Sequence, residues 1–135
     1  MLPPRILIVD DSHTEQIIAS HMIRLLGGDV RLADNGLTAI ELCRTAMPDV
    51  ILLDWNMPEM DGPEVMRTIR SLPQGHKPKI IFCTAEDSYE KIAQVMSSGA
   101  DSFIIKPFSI DTIGQNLAYV GIPTTPQTML IKIAS

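Results

Sequence analysis

Ile51-Leu52-Leu53-Asp54-Trp55-Asn56-Met57-Pro58 is an apolar run that stops on a carboxylate and turns at once. A short continuous apolar run bounded by turn residues reads as a strand buried on both faces. Two other runs of the chain end in the same manner. Ile6-Leu7-Ile8-Val9 leads into Asp10-Asp11, and Ile104-Ile105 leads into Lys106-Pro107-Phe108. If these strands are parallel, three acids and one amine meet in one place, because open parallel sheets build their sites outside the carboxyl ends of the strands.

The stretches between these runs support parallel strands. Strand and helix signals alternate five times, which favours a parallel sheet with helices on both faces and right-handed crossovers. After the first strand, Ser12 and Glu15 have capping-box spacing, Ile18, Met22 and Leu25 form an apolar stripe, and Gly27-Gly28 closes the helix. A weak strand is predicted near 30–32. The turn Asp34-Asn35-Gly36 then precedes a helix with Ala39, Ile40 and Cys43 inward. The third strand spans 50–53. Asp61, Pro63 and Glu64 mark a helix start with Val65, Met66 and Ile69 facing inward. The fourth strand spans 79–83, and its helix carries Ile92, Val95 and Met96 and ends at Gly99. The fifth strand spans 103–105, and Ser109 caps a last helix with Ile110, Ile113 and Leu117.

Composition narrows the class. The chain has 135 residues, enough for one domain, with 45% hydrophobic and 20% charged residues. A net charge of −5 argues against a large nucleic-acid footprint, which needs clustered Lys and Arg. Cys43 and Cys83 both fall in apolar segments and read as reduced core thiols of a cytoplasmic protein. No apolar run approaches the ~18 residues that a membrane span requires, and Met1-Leu2-Pro3-Pro4 carries no secretory apolar region. Residues 1–121 are expected to form the domain. Residues 122–135 are expected to form a linker, Pro123-Thr124-Thr125-Pro126, with a short apolar tail, Met129 to Ala134.

Taken together, Asp10-Asp11, Asp54, Thr84-Ala85 and Lys106-Pro107-Phe108, each after its strand and in this order, resemble the receiver domain of two-component response regulators. The likeness covers roughly residues 4–121. Asp54-Trp55-Asn56-Met57-Pro58 with Met60-Asp61-Gly62 is especially similar to the chemotaxis regulators. The resemblance implies an α/β, flavodoxin-like, doubly wound (βα)5 three-layer fold. Its sheet order, 2-1-3-4-5, is taken over from that fold. It also implies Mg²⁺ held by Asp11, Asp54 and the backbone carbonyl of Asn56, with Asp10 helping through a bound water, Asp54 as phosphoacceptor and Lys106 and Thr84 contacting the phosphoryl oxygens. It further implies a cis Lys106–Pro107 bond, a switch pair of Thr84 and Phe103, and Asn56 and Glu86 flanking the path of the hydrolytic water. The implied partners are a sensor histidine kinase or histidine phosphotransfer protein, and a protein target on the face of the fourth helix, fifth strand and fifth helix. No direct nucleic-acid contact and no membrane insertion are expected, and the protein is expected to be a monomer or a phosphorylation-dependent dimer.

The chemistry is consistent with those roles. Crowded carboxylates repel one another and call for a cation, and carboxylate oxygens are hard ligands suited to Mg²⁺. A carboxylate is also a known nucleophile toward phosphorus, and phosphoryl transfer needs mainly positioning and charge neutralisation. An enzymatic alternative is a Mg²⁺-dependent aspartyl-phosphate phosphohydrolase of the haloacid-dehalogenase type. It would need an acid two residues after Asp54, where this chain has Asn56. A nucleotide-binding module would need a glycine-rich phosphate loop, and none follows a strand. With only fourteen residues after Gly121, the chain reads as a single receiver acting through protein contacts, or as the receiver fragment of a longer regulator. His13 and His76 read as solvated and His21 as packing.

Overall fold

The computed structural model describes residues 2–85 and 88–125. The five runs become β1 (Arg5–Val9), β2 (Asp29–Ala33), β3 (Val50–Asp54), β4 (Lys79–Thr84) and β5 (Ser102–Ile105), all parallel, in the order β2-β1-β3-β4-β5. The helices are α1 (His13–Leu25), α2 (Gly36–Thr45), α3 (Gly62–Arg70), α4 (Tyr89–Ser97) and α5 (Ile110–Tyr119). Successive strand residues point to opposite faces, so the sheet carries two cores. Leu7, Val9, Ile51, Leu53, Ile80 and Phe82 pack under α2, α3 and Val95 of α4. Ile6, Ile8, Val50, Leu52, Ile81, Cys83 and Ile104 pack under α1 and α5. Cys43 belongs to the first core and Cys83 to the second. The two thiols are therefore buried on opposite sides of the sheet and free, as expected.

The helix starts follow the cap residues. Ser12, Asn35, Asp61, Ser88 and Ser109 each accept a backbone N–H from the first turn of their helix, which satisfies one of the donors a helix start leaves orphaned. Gly27, past the end of α1, has φ +87°, and a side chain there would run into the Thr125 carbonyl at 2.8 Å. Thr125 donates its N–H to Leu26 O at 2.9 Å, and Ile122 packs on the α1/α5 core. Residues 122–125 thus lie on the domain where a linker was expected, and Met129 to Ala134 lie outside the described residues.

Three side-chain placements differ from the sequence reading. The face that α1 buries is Gln16, Ala19, Ser20 and Ile23, not a stripe through Ile18. Ile17 and Ile18 are 55% and 45% exposed. Small and polar residues let α1 lie close to the sheet, so its largest apolar side chains do not mark its inner face. On α4 only Val95 is buried, and Met96 is exposed. His21 is exposed instead of packed, while His13 opens α1 and His76 sits in its loop, both also exposed.

Candidate functional site

The strand register brings the expected residues to one level. Val9 lies opposite Leu53, so Asp10 and Asp54 leave their strands side by side. Asp54 lies opposite Cys83, and Thr84 lies opposite Ile105. The Lys106 N–H then donates to Thr84 O at 2.8 Å, and the Lys106–Pro107 bond is cis. Behind Asp54 the chain folds back sharply, and a side chain on Gly62 would stand 2.6 Å from the Asp54 carbonyl. The α3 N-terminus is therefore seated directly beneath the site.

Asp10, Asp11 and Asp54 each present a carboxylate oxygen within 4.8 Å of the others, with Asp10 and Asp54 buried and Asp11 exposed. Lys106 joins the cluster from the end of β5. Its ammonium lies 2.9 Å from Asp10 Oδ2 and 3.4 Å from Asp54 Oδ1. Asp10 also accepts the Ser12 N–H at 2.9 Å. Burial pushes the Asp54 carboxyl up to about 7; Lys106 pulls the other way, and Asp10 and Asp11 add to the rise. Burial likewise raises Asp10, against the Ser12 and Lys106 hydrogen bonds that lower it. Burial alone would lower Lys106, but the hydrogen bonds it donates to Glu15 and Asp10 and the Asp54 charge raise it, so it stays charged. Two buried carboxyls that resist ionisation, beside an exposed third, form an all-oxygen donor set. That set fits a hard divalent cation, whose charge would favour their ionised forms.

Thr84 is fully buried at its strand end. Phe103 sits on β5, half-buried, and borders an open groove of about 350 Å³ with Met96, Ser102, Gln115, Asn116 and Tyr119. Asn56 is exposed, two residues beyond Asp54, and Glu86 lies outside the described residues. Trp55 meets Phe82 edge-on at 4.7 Å between ring centroids, and the Lys91 ammonium lies 5.1 Å from the Trp55 ring centre. The loop after Asp54 is thereby joined to α4.

Two residues near the site had other or no roles in the sequence reading. Ser12 caps α1 with its hydroxyl, but the expected return contact from Glu15 is replaced. The Ser12 N–H goes to Asp10, and the Glu15 carboxylate lies on Lys106 at 2.5 Å. Gln16, buried, donates from Nε2 to the carbonyls of Asp10 at 2.7 Å and Ala33 at 3.1 Å. The one available signal was Gln16, at helical spacing with Ala19, Ser20 and Ile23; the Glu15–Lys106 contact had none.

Comparison with known proteins agrees with this geometry. The family described as the response regulator receiver domain matches residues 6–118. Chemotaxis protein CheY-3 of Vibrio cholerae is 34% identical over 114 residues, which are 84% of this chain and 88% of CheY-3. The structure of V. cholerae CheY4 superposes with a TM-score of 0.81 at 33% identity, covering 87% of this chain and 98% of that one. The receiver domain of the sensor histidine kinase PA1611 from Pseudomonas aeruginosa PAO1, solved with magnesium coordinated in its active-site cleft, superposes at 0.80 with 28% identity, over 88% and 98% of the two chains. A sheet of order 2-1-3-4-5, an acidic cluster and a lysine at its strand ends, and a family match over most of the chain lead to one conclusion: the chain belongs to the response regulator receiver domain family.

Proposed function

We propose that the protein is a phosphoacceptor response regulator of a two-component phosphorelay, loaded on Asp54 by a sensor histidine kinase or a histidine phosphotransfer protein. The observation that carries this reading is the placement of Asp54, clustered with the acidic pair Asp10–Asp11 and 3.4 Å from the ammonium of Lys106. An Asp54 carboxylate oxygen attacks phosphorus as the phosphorus–nitrogen bond to the donor imidazole breaks. The products are an acyl phosphate on Asp54 and an imidazole that regains a proton. Asp10, Asp11, Asp54 and the Asn56 carbonyl would hold Mg²⁺, which supplies charge neutralisation for the phosphoryl oxygens when bound. Lys106 contacts the same oxygens, and the Thr84 hydroxyl turns toward them. The protein is not a turnover enzyme in this reading; transfer to Asp54 and its own loss of phosphate are its chemistry.

Output runs through protein contacts on the α4-β5-α5 face, where Phe103 is half-exposed and Met96 and Tyr119 are exposed. Residues 1–121 act as the receiver and 122–135 as an appended segment, in a cytoplasm where Cys43 and Cys83 stay reduced. Among the described residues no helix is long and apolar enough to cross a membrane. A second reading has its own support. The regulatory protein AtoC of Escherichia coli is 37% identical over 109 residues that make up only 23% of its length, so the chain would be the receiver portion of a longer regulator. Whether the open reading frame continues past Ser135 into a further domain decides between the two.

Incubation with acetyl phosphate followed by intact-mass measurement tests the central reading. One phosphoryl adduct is expected with Mg²⁺ and none with a chelator or in Asp54→Ala; an equal adduct in that variant refutes the assignment. In the same assay Asn56→Arg should lengthen the life of the adduct, because an exposed long side chain there obstructs water. An unchanged decay would remove Asn56 from that role.

A further inference from the structure

Lys106 touches three carboxylates, and its shortest contact is with the one that comes from outside the strand ends. Glu15 of α1 lies 2.5 Å from the ammonium, against 2.9 Å for Asp10 and 3.4 Å for Asp54. An ammonium has three protons to donate. Two of them are engaged by Glu15 and Asp10, and Asp54 holds the longest position. The third proton can meet one oxygen of a phosphoryl group on Asp54; for Lys106 to engage a second, one of the two closer partners has to give way. Asp10 is buried and anchored by the Ser12 N–H as well. The Glu15 side chain is 41% exposed. It also borders an open cavity of about 170 Å³ with Ile18, Lys106, Pro107 and Phe108. Glu15 alone of the pair has somewhere to swing, and its charged form loses little on returning to water.

We propose that Glu15 is a positioning residue that competes with the phosphoryl group for Lys106 and so sets the donor concentration at which Asp54 is loaded. This rests on the phosphoacceptor reading above. Glu15 acts as a counter-charge that holds Lys106 in place between loadings and is displaced when a phosphoryl group arrives. The Lys106 hydrogen bond keeps the Glu15 carboxyl below its ordinary range, so the competing charge is present at neutral pH. The capping of α1 does not depend on this side chain, because the Glu15 backbone N–H, not its carboxylate, meets Ser12 Oγ.

The test is a double-mutant cycle read by loading with acetyl phosphate at saturating Mg²⁺, with the adduct measured by intact mass. Glu15→Gln keeps the shape and removes the charge. It should lower the half-loading concentration of acetyl phosphate about fivefold, the effect expected of a partly exposed ion pair. In the Lys106→Ala background the same substitution should change it by less than about twofold, because the interaction has lost its other member. An unchanged or raised half-loading concentration in Glu15→Gln overturns the proposal. So does an equal gain in both backgrounds, which would show that Glu15 acts through its general field and not through Lys106. A parent protein that takes up no phosphoryl group on Asp54 would overturn the phosphoacceptor reading itself. A parent that loads normally with an unresponsive Glu15→Gln overturns only the competition.

Discussion

Asp54 is held in a fold that does not favour its charge. Burial, reinforced by Asp10 and Asp11 and opposed by Lys106, sets its carboxyl at about 7, well above the ordinary 3.8. A carboxyl raised in this direction stabilises the fold through its neutral form. That contribution is full below the unfolded value near 4 and is lost as pH climbs to about 7. At neutral pH with a chelator present, the crowded carboxylates therefore strain the native state. Asp54→Asn cannot ionise, and is expected to exceed the parent in urea-denaturation stability by on the order of 2 kcal/mol near pH 7.5, with the gain shrinking toward pH 4. A less stable Asp54→Asn at the higher pH would show that fixed contacts, not crowding, decide the energy of this carboxylate.

The elements nearest the site are coupled through side chains as much as through the sheet. Gln16 reaches from α1 to the carbonyls that end β1 and β2. Gln16→Leu leaves the Asp10 carbonyl without that donor, and the expected cost is about 1–3 kcal/mol in denaturant unfolding; no loss would mean water replaces the amide there. On the opposite flank, Thr84 ends β4 and Phe103 lies on the neighbouring strand beside the groove shared with α4 and α5. If loading draws the Thr84 hydroxyl toward the phosphoryl oxygens, Phe103 gains room to turn inward, and an element with two packings serves as a switch. Thr84→Ala is then expected to accept phosphate on Asp54 yet lose target binding that depends on it, measured by pull-down of loaded and unloaded protein. Normal binding by Thr84→Ala would send the output along another route. The elements also differ in how plainly the sequence announced them. The inner faces of α2 and α3 were legible because Ala39, Ile40, Cys43, Val65, Met66 and Ile69 are the apolar residues at helical spacing. The inner face of α1 was not, because close packing selects Gln16, Ala19 and Ser20 there and leaves Ile17 and Ile18 outside.

Across the whole molecule, every strand but the mixed β2 was legible as an apolar run, and the site was legible because those four runs stop on a residue with chemistry. Parallel pairing then does the assembly: one register places Asp10 beside Asp54, and Thr84 one step on beside the Lys106 backbone. Contacts that cross between layers left no such trace. Glu15 is ninety-one residues from Lys106, and nothing local to either announces the pair. The return of Thr125 to Leu26 is hidden in the same way. The sheet and its four crossovers thus converge on one carboxylate, and the site of modification is the most direct measure of whether that convergence is functional. Protein treated with acetyl phosphate and Mg²⁺ can be reduced with borohydride, which cleaves an aspartyl phosphate to homoserine, and then mapped by peptide mass spectrometry. Homoserine at position 54, and only with Mg²⁺ present, is the expected result. Homoserine at Asp10, Asp11 or another acid, or at position 54 equally without Mg²⁺, would contradict it.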